Sequence, residues 1–153
     1  MYMKTKIKFI LIVAFLFLLI SCGTTGVFSC PYAVSCQGIG LGEHGDEYKF
    51  AGARFSILND SARTVRKFTL SFTLYDSDGN NPLIGSNCVV YPCERTILPG
   101  ETEEFTVPLD QFVSDVPEEP YSLDFIYIRE IDYSDGSSWK DPYGMYCARE
   151  AYE

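Results

Sequence analysis

The apolar positions of the chain change their spacing twice. Phe9 to Ile20 is an unbroken run of apolar residues. Residues 22–47 then show no hydrophobic period and hold many of the glycines. From Tyr48 onward the spacing becomes strand-like. Ala51, Ala53, Phe55 and Ile57 alternate with Gly52, Arg54 and Ser56, and Asn59-Asp60-Ser61 is a turn cluster. Phe68, Leu70, Phe72 and Leu74 alternate with Lys67, Thr69, Ser71, Thr73 and Tyr75, which predicts a strand with one buried face. Residues 76–82 form a loop of Asp, Asn, Gly and Pro. Cys88 to Tyr91 is a short β-branched piece that Pro92 is expected to stop. Leu98 to Glu101 is a turn, and Thr102 to Val107 puts Phe105 and Val107 on one face. Leu109 to Val113 reads as a helical turn or a loop. Tyr121 to Tyr133 predicts a central strand, which Asp135-Gly136 turns back into a return strand with Trp139. Six or seven short strands, with no stretch at helical spacing, predict an all-β antiparallel sandwich. Its expected bounds are residues 48–147, with 22–47 as a flexible Gly-rich tether and 148–153 as a tail.

Composition sharpens this. The chain has 153 residues, 11 Phe, 11 Tyr and a net charge of −9. That aromatic content excludes a disordered chain. Lys4, Lys6 and Lys8 carry the basic charge of the first segment, so the rest of the chain is more acidic than the whole. An acidic chain lacks the basic face that a phosphate backbone needs, so no nucleic-acid partner is expected.

The first segment, residues 1–21, reads as an export signal. Basic residues precede the apolar run and a small residue follows it. Twelve helical residues span about 18 Å, short of a hydrocarbon core of about 30 Å. Leu19-Ile20-Ser21-Cys22 resembles the lipobox of bacterial lipoproteins. The resemblance implies cleavage between Ser21 and Cys22, then acylation of Cys22 by palmitate-like chains. Two or more chains make such an anchor lasting. The partner implied is therefore membrane lipid through acylated Cys22. The domain would be exported and anchored to the cell membrane or the outer membrane, facing the periplasm or the exterior. Gly23 and Thr24 follow the Cys, so the Asp that marks inner-membrane retention in enterobacteria is absent.

A second resemblance lies inside the domain. Phe72-Thr73-Leu74-Tyr75-Asp76 matches the motif that names the FxLYD domain. An F-x-I-x-N-x-S run at Phe55 to Ser61, the Ile97 to Glu101 turn and the Ile131 to Trp139 close also resemble that family. The resemblance covers residues 48–140. It implies an Ig-like β-sandwich on an exported or surface-anchored protein, and it brings no catalytic residue. The Cys88 to Cys93 stretch departs from the pattern. Read from the residues alone, Phe72 and Leu74 point into the core, Tyr75 points away, and Asp76 caps the following turn.

Five cysteines remain beside Cys22: Cys30, Cys36, Cys88, Cys93 and Cys147. In an exported protein they are disulfide candidates. Their spacing pairs them as Cys30–Cys36 and Cys88–Cys93, with Cys147 left over. An alternative pairing through Cys147 would staple the C-terminus to the tether or to the Cys88 segment. These gaps differ from the C-x₂-C spacing that zinc ribbons favour. Asp76, Asp78 and Asn80 resemble the opening of a calcium loop, but Gly79 falls two places early for an EF-hand, and a polar turn is the simpler account. The sole His, His44, falls in the expected tether, where it is poorly placed as a catalytic base. Glu101, Glu103 and Glu104 read as a solvated strand edge. The aromatic tail of Tyr143, Met145, Tyr146 and Tyr152 could cover one end of the sandwich or make contacts.

These readings predict a non-catalytic lipoprotein module of the cell envelope, without cofactor, that binds or stabilises an envelope or extracellular protein. The alternatives are a small envelope hydrolase or metal-dependent enzyme, and a cation-binding or adhesion module.

Overall fold

The computed structural model describes residues 30–146. The signal segment 1–21, the Ser21–Cys22 cleavage site, Cys147 and the 148–153 tail lie outside the described residues. Seven strands make up the fold: β1 (Tyr32–Leu41), β2 (Ala51–Asn59), β3 (Val65–Tyr75), β4 (Cys88–Ile97), β5 (Thr102–Pro108), β6 (Ser122–Tyr133) and β7 (Ser138–Lys140). They form two antiparallel sheets, one in the order β1-β2-β5 and the other β4-β3-β6-β7. The protein is a β-sandwich, and no helix occurs among the described residues.

Period-2 patterning places the core. Ala51, Ala53, Phe55 and Ile57 of β2 are buried, as are Phe68, Leu70, Phe72 and Leu74 of β3. They meet between the sheets: the Phe55 ring lies 5.1 Å from Phe72 and 5.7 Å from Phe105, and Phe68 lies edge-on to Phe105 at 5.3 Å. Each such side chain contributes about 1.5–3 kcal/mol of transfer free energy. Tyr75 is only half-buried and stands at the end of β3 opposite Ser122.

Residues 32–41, expected to belong to the tether, form β1. Their period is hidden by a bulge. Tyr32, Val34 and Cys36 pair with Asn59, Ile57 and Phe55, then Gln37 is skipped, and the core face resumes at Ile39 and Leu41. Gly38 supplies the bulge with φ of 138°. The sandwich therefore starts well before Tyr48.

Pro92 does not stop its strand. β4 runs through it to Ile97, with Pro92 opposite Thr69. β4 is an edge strand, so a missing N–H on its outer side breaks no ladder. Tyr121 to Tyr133 was expected to be a central strand, and β6 lies between β3 and β7. Three register shifts interrupt its pairing with β3. Phe125 sits in one of them with φ of 48° and its side chain 70% exposed. Leu109 to Val113 is a turn in which the N–H groups of Phe112 and Val113 both donate to Leu109 O.

Polar groups tie the sheets where apolar packing ends. Buried Asn59 donates through Nδ2 to Arg63 O (2.8 Å) and Ile97 O (3.0 Å), and its Oδ1 accepts from the Ser61 amide and hydroxyl. Buried Tyr32 crosses from β1 to the other sheet. Its hydroxyl accepts from Ile128 N–H at 2.8 Å, and its ring meets Trp139 edge-on at 5.5 Å. Burial pushes the Tyr32 phenol up to about 12, against the opposing Ile128 hydrogen bond and with help from nearby Asp141.

Candidate functional site

The β1–β2 connection builds a hollow on the outer face of the three-stranded sheet. Gly40 and Gly52 are direct partners across β1 and β2. Neither has a side chain, so the Tyr48 ring lies flat on the backbone between them. A Cβ on Gly40 would come within 2.1 Å of the Tyr48 hydroxyl, and one on Gly52 within 2.2 Å of its ring. The connection is itself a small hairpin: Gly42 N–H donates to Phe50 O, and His44 N–H donates to Tyr48 O. It stacks the His44 ring on Tyr48 at 5.6 Å. Two side chains pin it to the sandwich. The Asp110 carboxylate accepts from the amides of Lys49 (2.8 Å) and Phe50 (2.9 Å), and Glu47 accepts from the Thr106 hydroxyl at 3.0 Å.

Beside Tyr48 lies an open cavity of about 200 Å³ lined by Gln37, Gly38, Tyr48, Gly52, Arg54 and Thr106, among others. It offers an aromatic wall, an exposed guanidinium, a carboxamide and a hydroxyl. Those groups suit holding a small polar or anionic moiety. The hydroxyl among them, that of Thr106, is the one that donates to Glu47. His44, placed by the sequence in the tether, serves here as a stacking partner.

A second hollow, of about 410 Å³, lies between Arg66 and Lys67 of β3, Glu94 and Arg95 of β4 and Asp132 of β6. Its charges are largely paired: Lys67 lies 4.0 Å from Glu94, and Arg95 lies 3.4 Å from Glu103. Exposed pairs of this kind contribute little to stability.

The calcium-like loop is a capped turn. One Asp76 carboxylate oxygen accepts from the amides of Asp78 (3.0 Å) and Asn80 (2.7 Å), and Asp76 N–H donates to Asn80 O. Asp78 and Asn80 thus contribute amides rather than a converging set of oxygens. Glu103 and Glu104 lie on the edge strand β5, and Glu101 precedes it, its carboxylate accepting from the Leu98 amide at 3.0 Å.

The cysteines fall otherwise than their spacing predicts. Cys36, Cys88 and Cys93 are free thiols, so neither Cys30–Cys36 nor Cys88–Cys93 forms. The physical reason is extended backbone. Cys88 and Cys93 lie on one strand, five residues and about 16 Å apart, facing opposite sides. Cys36 lies inside β1 and Cys30 just before it, about 20 Å apart if extended. A bridge needs Cα atoms within about 7 Å. Burial pushes the Cys93 thiol up to about 12, against a small opposing pull from Arg95. Exposed Cys88 lies 3.5 Å from the Ser71 hydroxyl on the outer face of the four-stranded sheet.

Within the aromatic tail, Tyr152 lies outside the described residues, and the three described members are not absorbed into the core. Tyr143, Met145 and Tyr146 are exposed, while Gly144 packs on the ring of Tyr127. Sequence reasoning missed Tyr48, Tyr32, Asn59, Asp110 and Asp141 as organising residues. A signal for Tyr48 existed in the two strand glycines that flank it. Asp141 carried no such signal: it is buried and accepts from the amides of Met145 (2.9 Å) and Tyr146 (2.8 Å).

No family model and no curated protein matches the chain. A crystal structure of a hypothetical protein from Peptoclostridium difficile 630 is similar in fold, with a TM-score of 0.52 and 11% identity. The match covers 74% of this chain and 87% of that one. At that identity the likeness speaks for the sandwich alone.

Proposed function

We propose that the protein is an exported lipoprotein, held by acylated Cys22, whose FxLYD-like sandwich is a non-catalytic binding or structural module of the cell envelope. The observation that carries this reading is the register of charge, apolar run, small residue and Cys that ends at Leu19-Ile20-Ser21-Cys22. The early start of β1 changes its geometry. Ten residues separate Cys22 from Tyr32, a reach of at most about 35 Å. The sandwich thus stands near the bilayer, and its acidic charge is repelled by an anionic surface.

Two carboxylates serve the fold by holding backbone amides. Asp110 is raised by desolvation but lowered more by the amides of Phe50, Lys49 and Ala51, and Asp135 is lowered first by the Ser137 hydroxyl and amide. The Tyr48–Arg54 hollow and the exposed tail aromatics are the surfaces offered to an envelope or extracellular partner.

Feeding cells an alkyne-bearing palmitate tests the anchor. The wild type takes up label and partitions into detergent, whereas Cys22→Ala does neither. Label or detergent partition retained by Cys22→Ala would sink the reading. Crosslinking in intact cells then reports the partner, and a reproducible absence of neighbours would weigh against a binding role.

A further inference from the structure

Cys30 differs from the other described cysteines. Cys36, Cys88 and Cys93 are free thiols, whereas Cys30 is disulfide-bonded. Its partner is then none of those three. Of the six cysteines in the sequence, Cys22 and Cys147 remain.

We propose that Cys30 is bridged to Cys147, which joins the start of the sandwich to its C-terminal segment. Two arguments select Cys147. The first rests on the lipoprotein reading: a thioether on Cys22 leaves it no thiol to oxidise. The second is independent of that reading. Cys30 is 9% exposed and leads directly into Tyr32, whose ring packs on Trp139 and whose phenol feels the charge of Asp141. Asp141 in turn hooks the chain back on itself by accepting the amides of Met145 and Tyr146. The residue after Tyr146 is Cys147. One buried carboxylate thus holds the approach to Cys147 on the side of the sandwich where Cys30 lies.

The oxidation balances simply. Two thiols lose two protons and two electrons and form one S–S bond. The oxidant is the disulfide of a thiol-exchange protein in the exporting compartment, which leaves as its dithiol. The resulting ring spans almost the whole domain, the case in which closure restrains the unfolded chain most. It also changes how the anchor loads the fold. Tension arriving from Cys22 reaches Cys30 before β1, an edge strand. With the bridge, that tension is shared with the segment hooked to Asp141 rather than peeling β1 from β2.

The test uses the full-length protein, extracted from membranes in denaturant with an alkylating agent present, digested and mapped by mass spectrometry without reductant. The expected result is a Cys30–Cys147 linked peptide that disappears on reduction, with Cys36, Cys88 and Cys93 alkylated. Alkylated Cys30 and Cys147 beside a lipidated Cys22 would overturn the bridge and leave the anchor standing. A Cys22–Cys30 link would overturn both. Melting gives a second readout. Cys147→Ser, Cys30→Ser and the double variant should fall by the same amount, on the order of 10 °C, as should the reduced wild type. A Cys147→Ser melt equal to that of the oxidised wild type would overturn the proposal.

Discussion

The Tyr48 ring rests on the backbone of Gly52, where a Cβ would stand 2.2 Å from the ring carbon Cδ1. No real Cβ contact is that close, and the obstacle is a rigid ring held by the His44 stack and the pinned hairpin. Gly52→Ala therefore displaces Tyr48 from the sheet. The expected cost is about 1–3 kcal/mol, the range for overpacking. Tyr48→Ala, which removes the ring, should make Gly52→Ala much less harmful. A double-mutant cycle in urea checks this, and simple additivity of the two losses would count against the contact.

Asn59 gives the second prediction. Its carboxamide serves two carbonyls and two donors of Ser61 at once, in a place with no access to water. Asn59→Asp turns the donating Nδ2 into an oxygen facing Arg63 O and Ile97 O. Removing one partner of a buried hydrogen bond costs about 1–3 kcal/mol, and more with a charge. Asn59→Asp should therefore destabilise more than Asn59→Ala at neutral pH. Chemical denaturation of both variants decides it, and the reverse order would refute the assigned orientation of the amide.

Part of this was legible in the sequence. Phe68, Leu70, Phe72 and Leu74 announce β3 because one face is buried without interruption, and period 2 survives intact. The strand after Tyr48 was legible for the same reason. β1 was not, because the bulge at Gln37 and Gly38 shifts its core face by one residue and its outer face carries glycines where Tyr48 lies. Cys88 and Cys93 misled because spacing in sequence says nothing of reach until the backbone is known to be extended. The Tyr48 hollow was invisible for a related reason. It arises from a pairing of Gly40 with Gly52, twelve residues apart, that only the register creates.

Asp110 carries the third prediction, on pH. Desolvation alone would raise its carboxyl, but the amides of Phe50, Lys49 and Ala51, with the Lys49 charge, leave it below the usual carboxylate value. A folded pKa below the unfolded one means stability that is present above the unfolded value of about 3.9 and lost as pH falls through the folded value. The melting temperature of Asp110→Ala should therefore trail the wild type at pH 7, begin to close the gap only below about pH 4, and converge as the pH falls through the lowered folded value. A gap of constant size across that range would show that the charged form has no special role.

Thiol reactivity separates the two faces of β4. Cys88 is exposed, whereas Cys93 is buried and its thiol is raised to about 12. Since the thiolate is the reactive form, Cys93 is almost wholly protonated at pH 8. Iodoacetamide on the native protein should label Cys88 and spare Cys93 until denaturant is added. Comparable native labelling of the two would mean that β4 does not alternate across Pro92.

Tyr133 supplies the last prediction, and its sign differs. The residue is 1% exposed, with the Arg63 guanidinium over its ring at 3.8 Å from the ring centre. Its hydroxyl oxygen is buried with no hydrogen-bond partner among the described residues. A buried hydroxyl left unpaired costs free energy, so removing it relieves that cost while keeping the ring, its packing and its cation–π contact. Tyr133→Phe should therefore be neutral or stabilising by about 1 kcal/mol. Tyr133→Leu, which also removes the ring, should destabilise. Thermal melts of the two variants give the comparison. A clear loss in Tyr133→Phe would mean that the hydroxyl is satisfied in solution by a bound water or by a partner.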